Sequence, residues 1–297
     1  MSLTTSGSLF GGFEVNIQAL YDFDGSPRED GWFASPESPF ACVIDGCSEP
    51  YSGKPFIYPE GFTGGQMVSR VVTQAFSMAS ANVLLDVVLS IVNEEVWKVQ
   101  KIYRREAVLR NDTATLANAS FSCLKFNEDG SFRCIWGADV FTIWQTKAGN
   151  VGIAGGNNRE ADLLREKTYA DLVDAARGDS ERVSQAKRHY WLTEFPRLKR
   201  LQDNVQYACL NGQPGIEKVW QDFSVREPVD RIVLLSDGAW IPIELWDKGL
   251  SYAHEFVGRL VQGNLQSAFN WVRHVQKQDQ FKRVANPEAT ALVISFD

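Results

Sequence analysis

Apolar residues follow two different periods along this chain, and the switches between them mark its elements. The N-terminal third is short-period and extended. Residues 13–20 partly alternate, Trp32-Phe33-Ala34 is a brief aromatic run, and Phe40-Ala41-Cys42-Val43-Ile44 is apolar throughout. Pro39 before that run and Asp45-Gly46 after it give it the bounds of a buried strand. Residues 46–61, rich in Gly, Pro and Ser, read as a loop. The period then becomes helical: Thr63 and Gln66 have the spacing of a capping box, and Val68, Val71, Val72 and Phe76 follow at helical intervals. A second helix is predicted over about 82–105, with Leu84, Val87, Val88, Ile91, Val92 and Val99 on one broad face. Lys101, Arg104 and Arg105 lie at its end, where positive charge suits the helix dipole.

Strand character returns over 115–126, 132–144 and 151–154. The turns between them are Asn127-Glu128-Asp129-Gly130, which carries an Asp-Gly hairpin signature, and Lys147-Ala148-Gly149-Asn150. From about 159 to 200 the chain is charged and mostly helical. A short strand near 206–209, a strand over 231–236, helices within 242–276 and a closing strand over 289–296 complete the pattern. Hairpins and paired helices come in runs rather than in strict alternation, which indicates an α+β fold of packed sheets with helices outside. With no repeat and no low-complexity linker, residues 1–297 are expected to form a single domain with a helical insert at about 159–200.

Composition narrows the function classes. Hydrophobic residues at 44% of 297 supply a core and exclude disorder as the main state. Lys and Arg number 30 against 37 Asp and Glu, a net charge of −7, and no basic run appears. Nucleic acid and anionic membrane are therefore not expected partners. The longest apolar stretch, 83–92, is interrupted by Asp86 and too short to span a bilayer. With no secretory leader in view, a cytoplasmic monomer is expected. Five cysteines without a CxxC suggest neither a disulfide framework nor a zinc knuckle. His189, His254 and His274 stand apart from the acidic strand ends, and His274 is expected on a helix surface. Cys42 reads as a small buried strand residue, and Cys47 as a thiol with no neighbouring His or helix N-terminus to activate it. There is no GxxxxGK[ST] or GxGxxG, so no nucleotide site is expected.

Three positions set a carboxylate beside an apolar strand: Asp45 before Gly46, Asp237 before Gly238, and Glu29-Asp30 before Trp32-Phe33. Mg²⁺ or Mn²⁺ takes a few carboxylates and keeps several waters, and strand ends place such ligands rigidly. A following glycine leaves room for a carbonyl to turn toward a cation. An Asp-Gly pair also makes an ordinary turn, so spacing leaves both readings open.

The ordered segments REDGWF, FACVIDG, TATLANASF, CIWGADVFTIW, DRIVLLSDGAW and EATALVISF resemble the metal-dependent protein serine/threonine phosphatases of type 2C, the PPM family. The resemblance runs from Glu29 to Phe296, with VLLSDGAW its most specific segment. It implies a four-layer αββα sandwich of two antiparallel sheets flanked by helix pairs. It also implies a phosphoprotein substrate, two Mn²⁺ or Mg²⁺ ions, and in-line attack by a metal-held water. Residue by residue, it makes Asp45 the bridging and catalytic carboxylate, with Gly46 as a backbone ligand. Asp237 becomes a ligand of the other ion, and Glu29, with Asp30 beside it, a holder of metal-bound water.

Four departures bear on that set. Pro287 falls where the family places an aspartate before the last strand, so Asn286 or Glu288 would have to substitute, Glu288 being the candidate ligand. A one-residue shift on a strand changes face, so a local bulge is then required. The family's GDSR reads Gly137-Ala138-Asp139-Val140, Gly25 stands at the phosphate-clamping arginine with Arg28 nearby to serve instead, and Cys47 stands where some members carry histidine. The alternatives to an active phosphatase are a pseudophosphatase acting as a binding module and a phosphoesterase for small molecules. Specificity is expected in 50–62 and 159–200, and Trp240 and Trp246 as lining of a substrate groove.

Overall fold

The computed structural model describes residues 2–8, 14–22, 28–48, 56–110, 112–278 and 288–296. Gly25, Asn286 and Pro287, and residues 49–55 of the predicted loop, lie outside the described residues. Among the described residues, eleven strands form two antiparallel sheets. The first has the order β1 (Ser2–Ser8), β2 (Glu14–Asp22), β11 (Ala289–Phe296), β10 (Val229–Leu235), β7 (Phe141–Thr146), β8 (Val151–Ala154). The second has the order β3 (Gly31–Ala34), β4 (Phe40–Cys47), β5 (Asn118–Phe126), β6 (Phe132–Gly137), β9 (Gln221–Val225).

Three apolar cores bind four layers. Helices α1 (Gly64–Met78) and α2 (Leu85–Tyr103) bury Val68, Val72, Phe76, Leu89 and Val92 against Phe40, Cys42, Ile44 and Phe121 of the second sheet. Helices α7 (Gly249–Gln262) and α8 (Leu265–Gln276) bury Phe256, Phe269 and Val272 against Ile143, Val233 and Val293 of the first. Between the sheets, Val15, Ile17, Val43, Leu124, Phe132, Ile232, Leu234, Leu292 and Ile294 interdigitate. The expected αββα sandwich is therefore the architecture observed. A short helix α3 (Arg105–Leu109) follows α2, and α4 (Arg159–Ala175), α5 (Ser180–His189) and α6 (Phe195–Gln202) occupy the segment between β8 and β9. Among the described residues no helix is long and apolar enough to cross a membrane.

Several elements differ from the sequence expectation. The run 132–144 is two strands in different sheets, because Ala138 adopts φ 63° and the chain crosses from β6 to β7 there. The short strand near 206–209 is a loop, tied by one bridge from Asp203 to Tyr207 and by paired bonds from Leu210 to Ala119. Strands β1 and β9 were not anticipated. On α2 the covered stripe is Leu85, Val88, Leu89, Val92 and Val96, while Leu84, Val87 and Ile91 remain exposed. A helix on a sheet covers only part of a broad apolar face, and the outer third stays in water. The Thr63 capping box is present as read.

Candidate active site

Strand alternation delivers the carboxylates. On β4, Phe40, Cys42 and Ile44 face α1 and α2, whereas Ala41 and Val43 face the other sheet, so Asp45 continues the inter-sheet face. On β5, Leu124 and Phe126 share that interior, and Ser122, Ser120 and Asn118 extend it. The pattern repeats across the gap: Ile232 and Leu234 lead to Ser236, and Ile294 and Leu292 lead back to Thr290. Each face is apolar at one end and polar at the other, and the polar ends meet.

Asp30, just before β3, is buried there with the hydroxyls of Ser236 and Thr290 against it. Burial and the Glu288 charge push its carboxyl up to about 8, while the two hydroxyls offset part of the effect. Asp45 is held well above the usual carboxylate range, first by burial and then by the charges of Asp30, Asp237 and Asp139. The neighbouring Asp237 carboxyl, on an exposed residue at the strand end, adds to that rise. Neighbouring carboxyl groups hold a proton between them, or a cation.

Close backbone approach fixes these segments. A Cβ on Gly46 would lie 2.5 Å from the Glu29 carbonyl oxygen and 2.6 Å from that of Gly65. One on Gly238 would lie 1.8 Å from the Glu288 carbonyl oxygen. Both glycines therefore mark packing as well as turns.

Glu29 turns toward the start of α1. Its carboxylate accepts hydrogen bonds from the hydroxyls of Ser48 and Thr63 and from the Ser48 amide. Glu288 accepts from the amides of Glu29 (2.9 Å) and Asp30 (2.7 Å) and from the Tyr21 hydroxyl (2.5 Å). It thereby clasps the Glu29-Asp30 segment to the start of β11. Arg28 is exposed and stacks 4.0 Å above the Tyr21 ring.

Sequence reasoning missed Asp162. On α4 it is pushed up to about 8 by burial, opposed by its ion pair with Arg165 and reinforced by Asp139 and Asp237. The Asn158 amide donates to both Asp139 (2.9 Å) and Asp162 (2.7 Å). Arg165 donates to the Tyr207 hydroxyl, Tyr207 to Asp203, and Asp203 pairs with Lys199, whose side chain is 2% exposed. A buried polar chain thus joins the helical insert to the carboxylate cluster. No local signal distinguishes Asp162 from its charged neighbours.

One expectation is corrected. Trp240 is fully buried against Phe141 and Phe256, so it lines no groove. Trp246 is half-buried, packs edge-on to Phe141 and donates to the Ile241 carbonyl, so of the pair it alone keeps an open face. Cys42 is buried as read, the three histidines are exposed, and burial pushes the Cys47 thiol up, which disfavours a reactive thiolate.

Asp30 Oδ2 and Asp139 Oδ1 are buried with no hydrogen-bond partner, inside a set of mutually repelling carboxylates. Among the described residues, no three His, Cys, Asp or Glu side chains already converge on one metal position. In charge and donor type the all-oxygen set fits a hard divalent cation.

No family model matches this chain, and no curated protein matches it. Solved structures do. Serine/threonine phosphatase Stp1 from Staphylococcus aureus is 11% identical, with a TM-score of 0.53 over 98% of this chain and 97% of that one. PppA of Pseudomonas aeruginosa is 15% identical at TM-score 0.52, over 99% and 100%. RsbX, solved in complex with magnesium, is 8% identical at TM-score 0.51, also over 99% and 100%. The chain therefore has the fold of the PPM-type serine/threonine phosphatases.

Proposed function

We propose that this protein is a metal-dependent phosphomonoester hydrolase acting on phosphoserine and phosphothreonine in proteins. The observation that carries the reading is the like-charged cluster at the polar end of the inter-sheet face, where buried Asp30, half-buried Asp45 and exposed Asp237 stand together and the like charges push the Asp30 and Asp45 carboxyls up. Asp45, Asp237 and the Gly46 carbonyl would hold Mn²⁺ or Mg²⁺, with Asp30 beside them. Such cations lower the pKa of bound water and neutralise phosphoryl oxygens. Asp30 Oδ2, with no hydrogen-bond partner among the described residues, would be available to water held there. Glu29 and Glu288, engaged by hydroxyls and amides, act as outer supports that fix the Glu29-Asp30 segment. Arg28 is the exposed cation available to the substrate phosphate.

Activity is tested by phosphate release from a phosphothreonine peptide and an aryl phosphate, with and without millimolar Mn²⁺. Turnover is expected only with Mn²⁺, and Asp45→Ala or Asp237→Ala should lower kcat by at least about 100-fold. One observation favours a second reading, a binding module of the same fold: Glu288 oxygens are committed to the backbone, so the last-strand position offers a thinned ligand set. A folded wild type that binds no Mn²⁺ and releases no phosphate would establish that alternative.

A further inference from the structure

The loop carrying Asp237 is gripped from one side by α8. The Arg273 guanidinium is buried, 7% exposed, and donates from Nη1 to the Gly238 carbonyl at 3.2 Å and to Gln276 Oε1 at 2.9 Å. Its Nε and Nη2 both reach Asp22 Oδ2, at 3.2 and 3.0 Å, and its plane lies 4.8 Å from the Phe269 ring. Gln276 Nε2 donates to the Gly238 carbonyl at 3.0 Å and to the Trp240 carbonyl at 2.7 Å. Inside the loop, the amides of Ala239 and Trp240 bond back to the carbonyls of Ser236 and Asp237. At least four of the five guanidinium N–H groups are thus committed to protein acceptors, which marks Arg273 as a brace rather than a ligand receptor.

We propose that Arg273 and Gln276 are positioning residues that fix the peptide after Asp237, and so the direction in which the Asp237 carboxylate is presented. The geometry is specific to this task. The two side chains share one carbonyl, that of Gly238, and that glycine cannot retreat because its α-carbon abuts the Glu288 carbonyl. Asp22, at the end of β2, anchors the brace to the same sheet that carries Ser236 and Thr290. The brace therefore links α8, β2 and the Asp237 loop in one hydrogen-bonded unit. Partners of this kind, one shell behind a metal ligand, alter metal affinity or activity by about 10–100-fold when removed.

This inference rests on the phosphatase reading, and two readouts separate their failures. Gln276→Glu keeps the side chain's size and removes its two donated bonds from a half-buried site. Arg273→Lys keeps the charge and removes the shared fork, and Lys277→Ala, exposed on the same helix, is the control. Amide hydrogen exchange of the metal-free proteins over 236–241 is expected to rise in both brace variants and not in the control. Calorimetric Mn²⁺ binding is expected to weaken about 10–100-fold in both, with kcat falling while KM for an aryl phosphate holds. Melting curves identify a variant that fails to fold, and Gln276→Glu then decides the matter. Unchanged exchange and unchanged Mn²⁺ affinity in Gln276→Glu would overturn the brace. A wild type that binds no Mn²⁺ would overturn the phosphatase reading and the brace's catalytic purpose with it, while exchange still reports whether the loop is held.

Discussion

Buried Asp30 and half-buried Asp45 place carboxyl groups where like charges face them, and that choice has a thermodynamic sign. Their folded-state pKa values lie above those of the unfolded chain, with Asp30 at about 8. Between about pH 4 and about pH 8 the folded protein keeps protons that the unfolded chain releases. Metal-free protein is therefore expected to be more stable at about pH 5 than at about pH 8, and Mn²⁺ to remove the difference by replacing the protons. Melting temperatures in EDTA across that window check this, and a rise toward pH 8 would contradict it. Asp45 and Asp237 stand out in the sequence because each follows an apolar run and precedes a glycine, but that spacing also fits an ordinary turn, and only the family resemblance makes them candidate ligands. Asp162 does not stand out, since Glu160, Glu166 and Asp171 flank it on a helix where Ala161 alone is fully enclosed, and Asp162 itself is partly covered, 22% exposed. Its burial comes from docking, which no local pattern encodes.

At the scale of elements, the insert and the strands teach opposite lessons. Apolar patterning correctly gave β4, β10 and β11, short apolar runs whose faces each divide between two cores. It failed at 132–144, where one positive-φ residue, Ala138, moves the chain between sheets without interrupting the apolar run. It also overcounted the buried face of α2, because periodicity reports where apolar residues lie and not how wide a surface will cover them. The insert reads from sequence as a charged, mostly helical stretch, and its inner side holds Arg165, Lys199 and Asp203 largely out of water. Arg165→Met removes the ion pair to Asp162 and the donor to the Tyr207 hydroxyl and should cost about 1–3 kcal/mol, measured by urea unfolding. A loss below about 1 kcal/mol would show that the chain from Asp139 to Lys199 does not act as a unit.

For the molecule as a whole, the layered plan survives where sequence does not. Identities of 8–15% accompany full-length superposition on Stp1, PppA and RsbX. What such a fold requires is three apolar interfaces and strands that alternate between them, conditions many residue sets satisfy. The site is less forgiving, and here its polar end is assembled from both sheets, the start of α1 and the insert. The central claim is that Asp45 and Asp237 together hold a divalent cation. Anomalous diffraction at the manganese edge from crystals soaked in Mn²⁺ tests it most directly. The account expects a peak within coordination distance of both carboxylates, absent in Asp45→Ala. A wild-type map with no peak there would contradict it.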